Sequence, residues 1–182
     1  MHRRRSRSVL PRLAAIAGGG LVLAALGISA ASITQGHNAA LQLSWDGEQY
    51  SSATSEAFFG TPVVVPGDSV RRTLFVRNDG PSDAILRAKI TNVELTQDRS
   101  DAFYDTLLID WDTGQTTMRQ LAANGETTIV DMQLAQGAET QITIGYHFPL
   151  ETTQGNRGGG PPRMAGFDVE LDLAGATTPG GN

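Results

Sequence analysis

The chain has 182 residues, no cysteine, 14 basic and 19 acidic residues, and a formal net charge of −5. Without cysteine it has no disulfide framework, no cysteine zinc site, no Cys-x-x-Cys-His haem attachment and no thiol nucleophile. Its acidic balance argues against non-specific binding to nucleic acid or anionic lipid.

Arg3, Arg4, Arg5, Arg7 and Arg12 make a basic opening, followed by an apolar run from Leu13 to Ile28 that is interrupted by Gly18, Gly19, Gly20 and Gly27. This is the layout of a secretory signal helix, and the small residues Ser29, Ala30 and Ala31 supply its cleavage site. Cleavage after Ala31 places Ser29 at the −3 position, and cleavage after Ala30 is the neighbouring alternative. Counting on to Ile33 gives about 21 apolar residues, the length of an uncleaved anchor; the four glycines and the small-residue end favour removal. Arg4-Arg5 lacks the apolar residues that follow a twin-arginine pair. Loss of residues 1–31 takes away five basic residues and no acidic ones, leaving nine against 19, a net charge of −10. The remaining 151 residues (182 less 31) are enough for one domain held by its own core, since a chain of that size buries roughly 68–70% of its unfolded surface.

Beyond the signal, short alternating runs with turn residues between them predict a mostly β fold of about eight strands. Leu41, Leu43 and Trp45 alternate before an Asp46-Gly47 turn, and a short run covers 61–65. The most informative stretch is 63–90, VVVPGDSVRRTLFVRNDGPSDAILRAKI. Pro66-Gly67-Asp68 breaks the chain, Val70, Leu74 and Val76 alternate, Asn78-Asp79-Gly80-Pro81 turns it, and Ala84, Leu86, Ala88 and Ile90 alternate again. Arg72 falls on the apolar parity of Val70 and Leu74. Either the strand begins after it, a bulge shifts the phase, or the stem snorkels at the sheet margin. Residues 97–105, QDRSDAFYD, predict one helical turn capped by Asp98, with Phe103 and Tyr104 docked on the sandwich edge.

Further strands are predicted at 107–111, 127–134, 140–148 and 166–173. In the last two, Ile142, Ile144, Tyr146 and Phe148 face inward, as do Phe167, Val169, Leu171 and Leu173, while Asp168, Glu170 and Asp172 face solvent. The loop 151–165 is too rich in Gly and Pro for helix or strand. The tail 174–182 has no apolar segment and no Leu-Pro-x-Thr-Gly sorting sequence, so no attachment to wall or membrane is expected at this end. The expected organisation is a signal peptide over 1–31, a flexible segment over 32–40, a sandwich over 41–174 and a flexible tail over 175–182. The fold class is all-β, a two-sheet antiparallel sandwich of jelly-roll-like or immunoglobulin-like kind.

Three kinds of chemistry have candidate residues in the chain. GNRGGG at 155–160 is followed by Pro161-Pro162-Arg163 and a strand, whereas a phosphate cradle needs Gly-Lys-Ser/Thr entering a helix. Asp110-Trp111-Asp112 with Gly114, and Asp98, Asp101 and Asp105, group carboxylates as calcium sites do, yet neither matches a twelve-residue EF-hand loop. After signal removal two histidines remain, His37 near the new N-terminus and His147 facing outward on its strand, and neither stands in a triad or metalloprotease motif. No catalytic, cofactor-binding or metal-binding residue is therefore assigned, no cofactor is expected, and the chain is not expected to be an enzyme. Arg71 and Arg77, then Arg87 and Lys89, form basic stripes, and Asp168, Glu170 and Asp172 an acidic one. These pair either across strands of one molecule or between neighbouring molecules.

VPGDSVRRTLFVRNDGPSDAILRAKITNVE, with the later LAQGAETQITIGYHFPLETTQGNR and AGFDVELDLAG, resembles the TasA and camelysin type of exported protein of Gram-positive bacteria. The resemblance covers most of 40–175 and implies a jelly-roll-like sandwich, processing by a dedicated signal peptidase, and fibres of a biofilm matrix built by donation of an N-terminal strand. The donor here is residues 32–40, SITQGHNAA, with Ile33 its only large side chain and without the family's Tyr-Phe-Ser-Asp-like start. Two roles follow. The first is a structural protein of the cell envelope or extracellular matrix, secreted and surface-associated, partnering itself or another surface protein. The alternative is a monomeric adhesion module for a wall or surface ligand. Such a module displays exposed aromatics, whereas Trp45 and Trp111 fall on core parities. No nucleic-acid partner is expected, and membrane contact is expected only through the signal segment before cleavage.

Overall fold

The computed structural model describes residues 26–27, 38–60, 62–96, 102–152 and 163–175. Its strands are β1 (Leu26–Gly27), β2 (Leu41–Ser44), β3 (Ser69–Asn78), β4 (Ala84–Leu95), β5 (Leu108–Trp111), β6 (Gly114–Thr117), β7 (Thr127–Leu134), β8 (Glu139–His147) and β9 (Ala165–Gly175). A 3-10 turn (Asn38–Ala40) precedes β2, and two short helices, α1 (Phe103–Thr106) and α2 (Met118–Asn124), precede β5 and β7. One sheet has the order β2-β3-β8-β5-β6 and the other β1-β9-β4-β7. Every ladder is antiparallel except the two-residue pairing of β1 with β9. The chain is the expected antiparallel sandwich. Of the segment expected to be a signal helix, only Leu26–Gly27 is described, and it is extended; the rest of 1–31, with 32–37 and 176–182, lies outside the described residues.

Alternation builds the core as anticipated. Leu74, Val76, Ile142 and Ile144 from one sheet and Leu86, Ala88, Ile90, Val169, Leu171 and Leu173 from the other are all buried. Each large apolar side chain so placed contributes roughly 1.5–3 kcal/mol. The connections β3→β4 and β7→β8 both cross from one sheet to the other. Asn78 ties the two crossings together. Its buried side-chain amide donates to the carbonyls of Ser82 (2.9 Å), Leu134 (3.0 Å) and Ala135 (3.3 Å), and its Oδ1 accepts from the Gly80 amide at 2.9 Å. Its backbone bonds Ala138 and Gly137 at 3.0 and 2.7 Å. A Cβ on Gly80 would lie 2.9 Å from Asn78 Oδ1 and 3.1 Å from the Ala40 Cβ, so the Asn-x-Gly spacing is a steric requirement.

The turn after β2 is built around a carboxylate. Asp46 Oδ1 accepts from the amides of Glu48 and Gln49 and from Ser44 Oγ, each at 2.8 Å. These bonds, those from the Gln49 and Glu48 amides foremost, hold its pKa down at about 2. A depressed carboxylate adds stability that is present above its unfolded value, near 3.8, and is lost as pH falls through the folded value. Asp46→Asn is therefore expected to flatten the loss of melting temperature between about pH 4 and pH 2, measured by thermal scans of both forms.

Four expectations need correction. Residues 62–65 are not a strand: Pro62 and Pro66 lack amide donors, and the Val65 amide turns to Asp68 Oδ2 at 2.8 Å. The helical turn starts at Phe103 with Ala102 at its N-cap and no side-chain cap, while Asp98 lies outside the described residues; Phe103 and Tyr104 are fully buried rather than docked on an edge. β6 and α2 were not anticipated. α2 is nonetheless capped by side-chain chemistry, Thr117 Oγ1 accepting from the Gln120 amide at 3.1 Å, and it closes on Gly125. Finally, β3 begins at Ser69 and pairs with β8 without a break, so neither a late start nor a bulge explains Arg72.

Candidate functional site

Arg72 is the register partner of buried Ile144, on the inward side of its sheet, and it meets the loop residues 56–58. Its guanidinium donates to the carbonyls of Ala57 (2.6 Å) and Phe58 (3.3 Å), pairs with Glu56, and stacks 3.9 Å from the centre of the Trp45 ring. Trp45 meets Phe58 edge to face at 5.0 Å and donates through Nε1 to Thr54 at 3.0 Å. The stem thus snorkels at the sheet margin, the third of the expected possibilities, and its head organises the loop.

Between this loop and the sheet lies a cleft of about 470 Å³, lined by residues 56–60, Pro62, Val70, Arg72 and Tyr146. Val70 and Tyr146 are register partners on β3 and β8, and the Phe59 ring meets the Tyr146 ring edge to face at 5.2 Å. Burial, with a smaller contribution from the Asp68 carboxylate, pushes the Tyr146 phenol pKa up, so it remains a neutral hydroxyl at physiological pH. Val63, Val65 and Val70 are exposed in the adjoining segment, Val70 to 42%, and Leu150, beside Gly67, is exposed to 70%. The walls are apolar and aromatic, and the Arg72 charge is spent on the loop. This suits an apolar or aromatic group; the polar side chains of its lining are Glu56, paired with Arg72, and the Tyr146 hydroxyl. The only sequence signal of the cleft is the adjacent aromatics Phe58 and Phe59 in a Ser-, Thr- and Gly-rich segment.

The cations of the basic stripes are paired within the molecule. Arg71 reaches Asp110 at 2.6 Å, Arg77 reaches Asp79 at 2.6 Å and Glu139 at 3.7 Å, Arg87 reaches Asp131 at 3.4 Å, and Lys89 reaches Glu126 at 3.0 Å. In the β4–β9 register Arg87 stands opposite Asp172 and Lys89 opposite Glu170, while Asp168 accepts from Asn92 at 2.9 Å. Each exposed pair adds only about 0.2–1 kcal/mol. The Arg71–Asp110 pair passes over Gly145, which is the register partner of both; a Cβ there would lie 2.8 Å from Arg71 Cγ and collide with the Asp110 carboxylate. A glycine in mid-strand thereby makes room for an ion pair spanning three strands.

The other residues singled out do not converge. Asp110 faces Arg71, Asp112 Oδ2 accepts from the Thr143 amide at 3.3 Å, and Asp105 pairs with Arg119 across α1 and α2. Among the described residues, no three His, Asp or Glu side chains group as metal ligands. His147 is exposed, Trp45 and Trp111 are partly buried against the core, and Asp98, Asp101, His37 and 155–160 lie outside the described residues. No described helix is long and apolar enough to cross a membrane.

The sheet edges differ in their cover. β2 is bridged by Ser51, which exchanges backbone bonds with Leu43 at 2.8 and 3.0 Å. β6 has only four residues, and β9 carries β1 at Ala165 and Gly166. β7 has eight residues and, among the described residues, β4 as its single strand partner. It contains no proline and one charged residue, Asp131, and the irregularity opposite Ala88/Lys89 interrupts it at Ile129, so the less protected part of this edge is residues 130–134.

No family model matches the chain, and no curated protein does. Among solved structures, the ASH / PapD-like domain of human CEP192 (PapD-like domain 7) aligns over 97% of this chain and 99% of that one, with 11% identity and a TM-score of 0.32. At that level the likeness has no bearing on function.

Proposed function

We propose that this chain is an exported, non-enzymatic structural protein of the cell surface or extracellular matrix that works by self-association. The observation that carries the reading is the β7 edge, which has no second strand partner among the described residues, on a body whose basic-stripe cations are already paired internally. Contact through backbone groups at a sheet edge is what such a surface has left to give. The basic, apolar and small-residue layout of residues 1–31 supports export, and the TasA and camelysin resemblance supports a matrix role built on added strands. The donor segment 32–40 is one source of such a strand.

A second reading, a monomeric adhesion module, is favoured by the cleft with Phe59 and Tyr146 in its walls. Size-exclusion chromatography and electron microscopy of residues 32–182, beside a form starting at Leu41, separate the readings. Assembly of the longer form alone supports donation by 32–40, and equal assembly of both places the contact in the sandwich. Monomers throughout, with affinity for purified wall material, favour the adhesion module.

A further inference from the structure

We infer that the β7 edge takes β7 of a second copy of this chain, in a two-fold antiparallel pairing centred on Met132. The inference rests on the self-association reading and names its partner. Met132 is register partner to Leu86, on the inward side at the sandwich margin, yet 40% exposed. Its sulfur accepts from Thr140 Oγ1 at 3.8 Å. An antiparallel mate supplies what the edge lacks, alternating backbone donors and acceptors, and covers that side chain with an identical one.

The register follows from the side chains. Centring on Asp131 sets two carboxylates face to face, which is destabilising in a cross-strand pair. Centring on Val130 runs the ladder through the irregularity at Ala88/Lys89 and puts buried Ile129 opposite Asp131. Centring on Met132 avoids both: Asp131 meets the second copy's Gln133, a hydrogen-bonding pair, and Val130 meets its Leu134. The two margins then join their cores through Met132. An isologous contact of this kind closes on itself as a dimer, the unit from which larger assemblies grow. Because each copy carries a net charge of −5, the dimer is expected to tighten as salt rises.

The chain has no cysteine, so Met132→Cys introduces a unique thiol. In this register two such residues face each other with Cα atoms roughly 5 Å apart, inside the disulfide range of about 4.4–6.8 Å. Thr128→Cys lies on the same exposed edge, but its symmetry mate is on the order of 25 Å away. Under mild oxidation of the purified full chain, Met132→Cys is expected to form a covalent dimer about tenfold faster or more than Thr128→Cys at equal concentration. Met132→Lys is expected to keep the melting temperature while raising the dimer dissociation constant about tenfold or more. Equal cross-linking rates, or no cross-linking of Met132→Cys while the unmodified chain still associates, overturn the inference and leave the structural role standing. A chain that stays monomeric at every concentration overturns both.

Discussion

Replacement of Asn78 by alanine is expected to lower stability by about 3–4 kcal/mol and the melting temperature by roughly 10 °C. The side chain is 1% exposed and uses both its donor and its acceptor, so truncation leaves the Leu134 carbonyl and the Gly80 amide without their partner at buried positions, and the part-buried Ser82 carbonyl as well. Each such orphan costs about 1–3 kcal/mol. The loss falls on both sheet crossings at once, so unfolding should stay cooperative while its midpoint drops. Asn78→Asp is the informative companion: an ionised carboxylate accepts from Gly80 but cannot donate to the three carbonyls. That variant should be unstable at neutral pH and recover relative to the unmodified chain as acid protonates it. Thermal scans against pH read both effects, and an unchanged midpoint for Asn78→Ala contradicts the pivot role.

Arg72→Ala is expected to cost about 2–4 kcal/mol, because it removes charge-assisted bonds to two loop carbonyls and the stack on Trp45 together. The Glu56 pair adds little, its carboxylate side chain being 57% exposed. The loop over the cleft should loosen first, seen as faster amide exchange over 54–60 and a shift in Trp45 emission. Arg72→Lys keeps the charge but neither the fork nor the planar stack, and should recover less than half of the loss. A loop that exchanges at its original rate in Arg72→Ala means that the guanidinium does not hold the cleft.

The strands that were legible in the sequence are those with strict alternation between a solvent side and a core side. The expected span of β7 matches the observed one, and β8 and β9 differ from theirs by only one or two residues at their ends. Asn78-Asp79-Gly80 was legible as a turn, but its junction with the β7–β8 crossing was not, because that contact joins residues 56 positions apart. The valine run at 63–65 misled because two prolines outweigh β-branched propensity. α2 escaped because seven residues give barely two turns of periodicity, although Thr117 and Gln120 carry the spacing of a capped start and Gly125 of a stop. The cleft was hidden for a different reason. It is made by a loop without periodic pattern, held down by an arginine that stands on an apolar parity.

The same arginine and the paired stripes bear on function. Basic charges paired inside one molecule are less available to orient a neighbour, which is why the proposed recognition is placed on backbone at the β7 edge and on the apolar cleft. Of these the edge needs no ligand other than the protein itself. Hydrogen exchange followed as a function of protein concentration tests that claim most directly. The alternate amides of residues 128–133 that point away from β4 should slow as concentration rises, while those of the loop 54–60 keep their rates. Exchange along β7 that is the same in dilute and concentrated solution contradicts self-association through this edge.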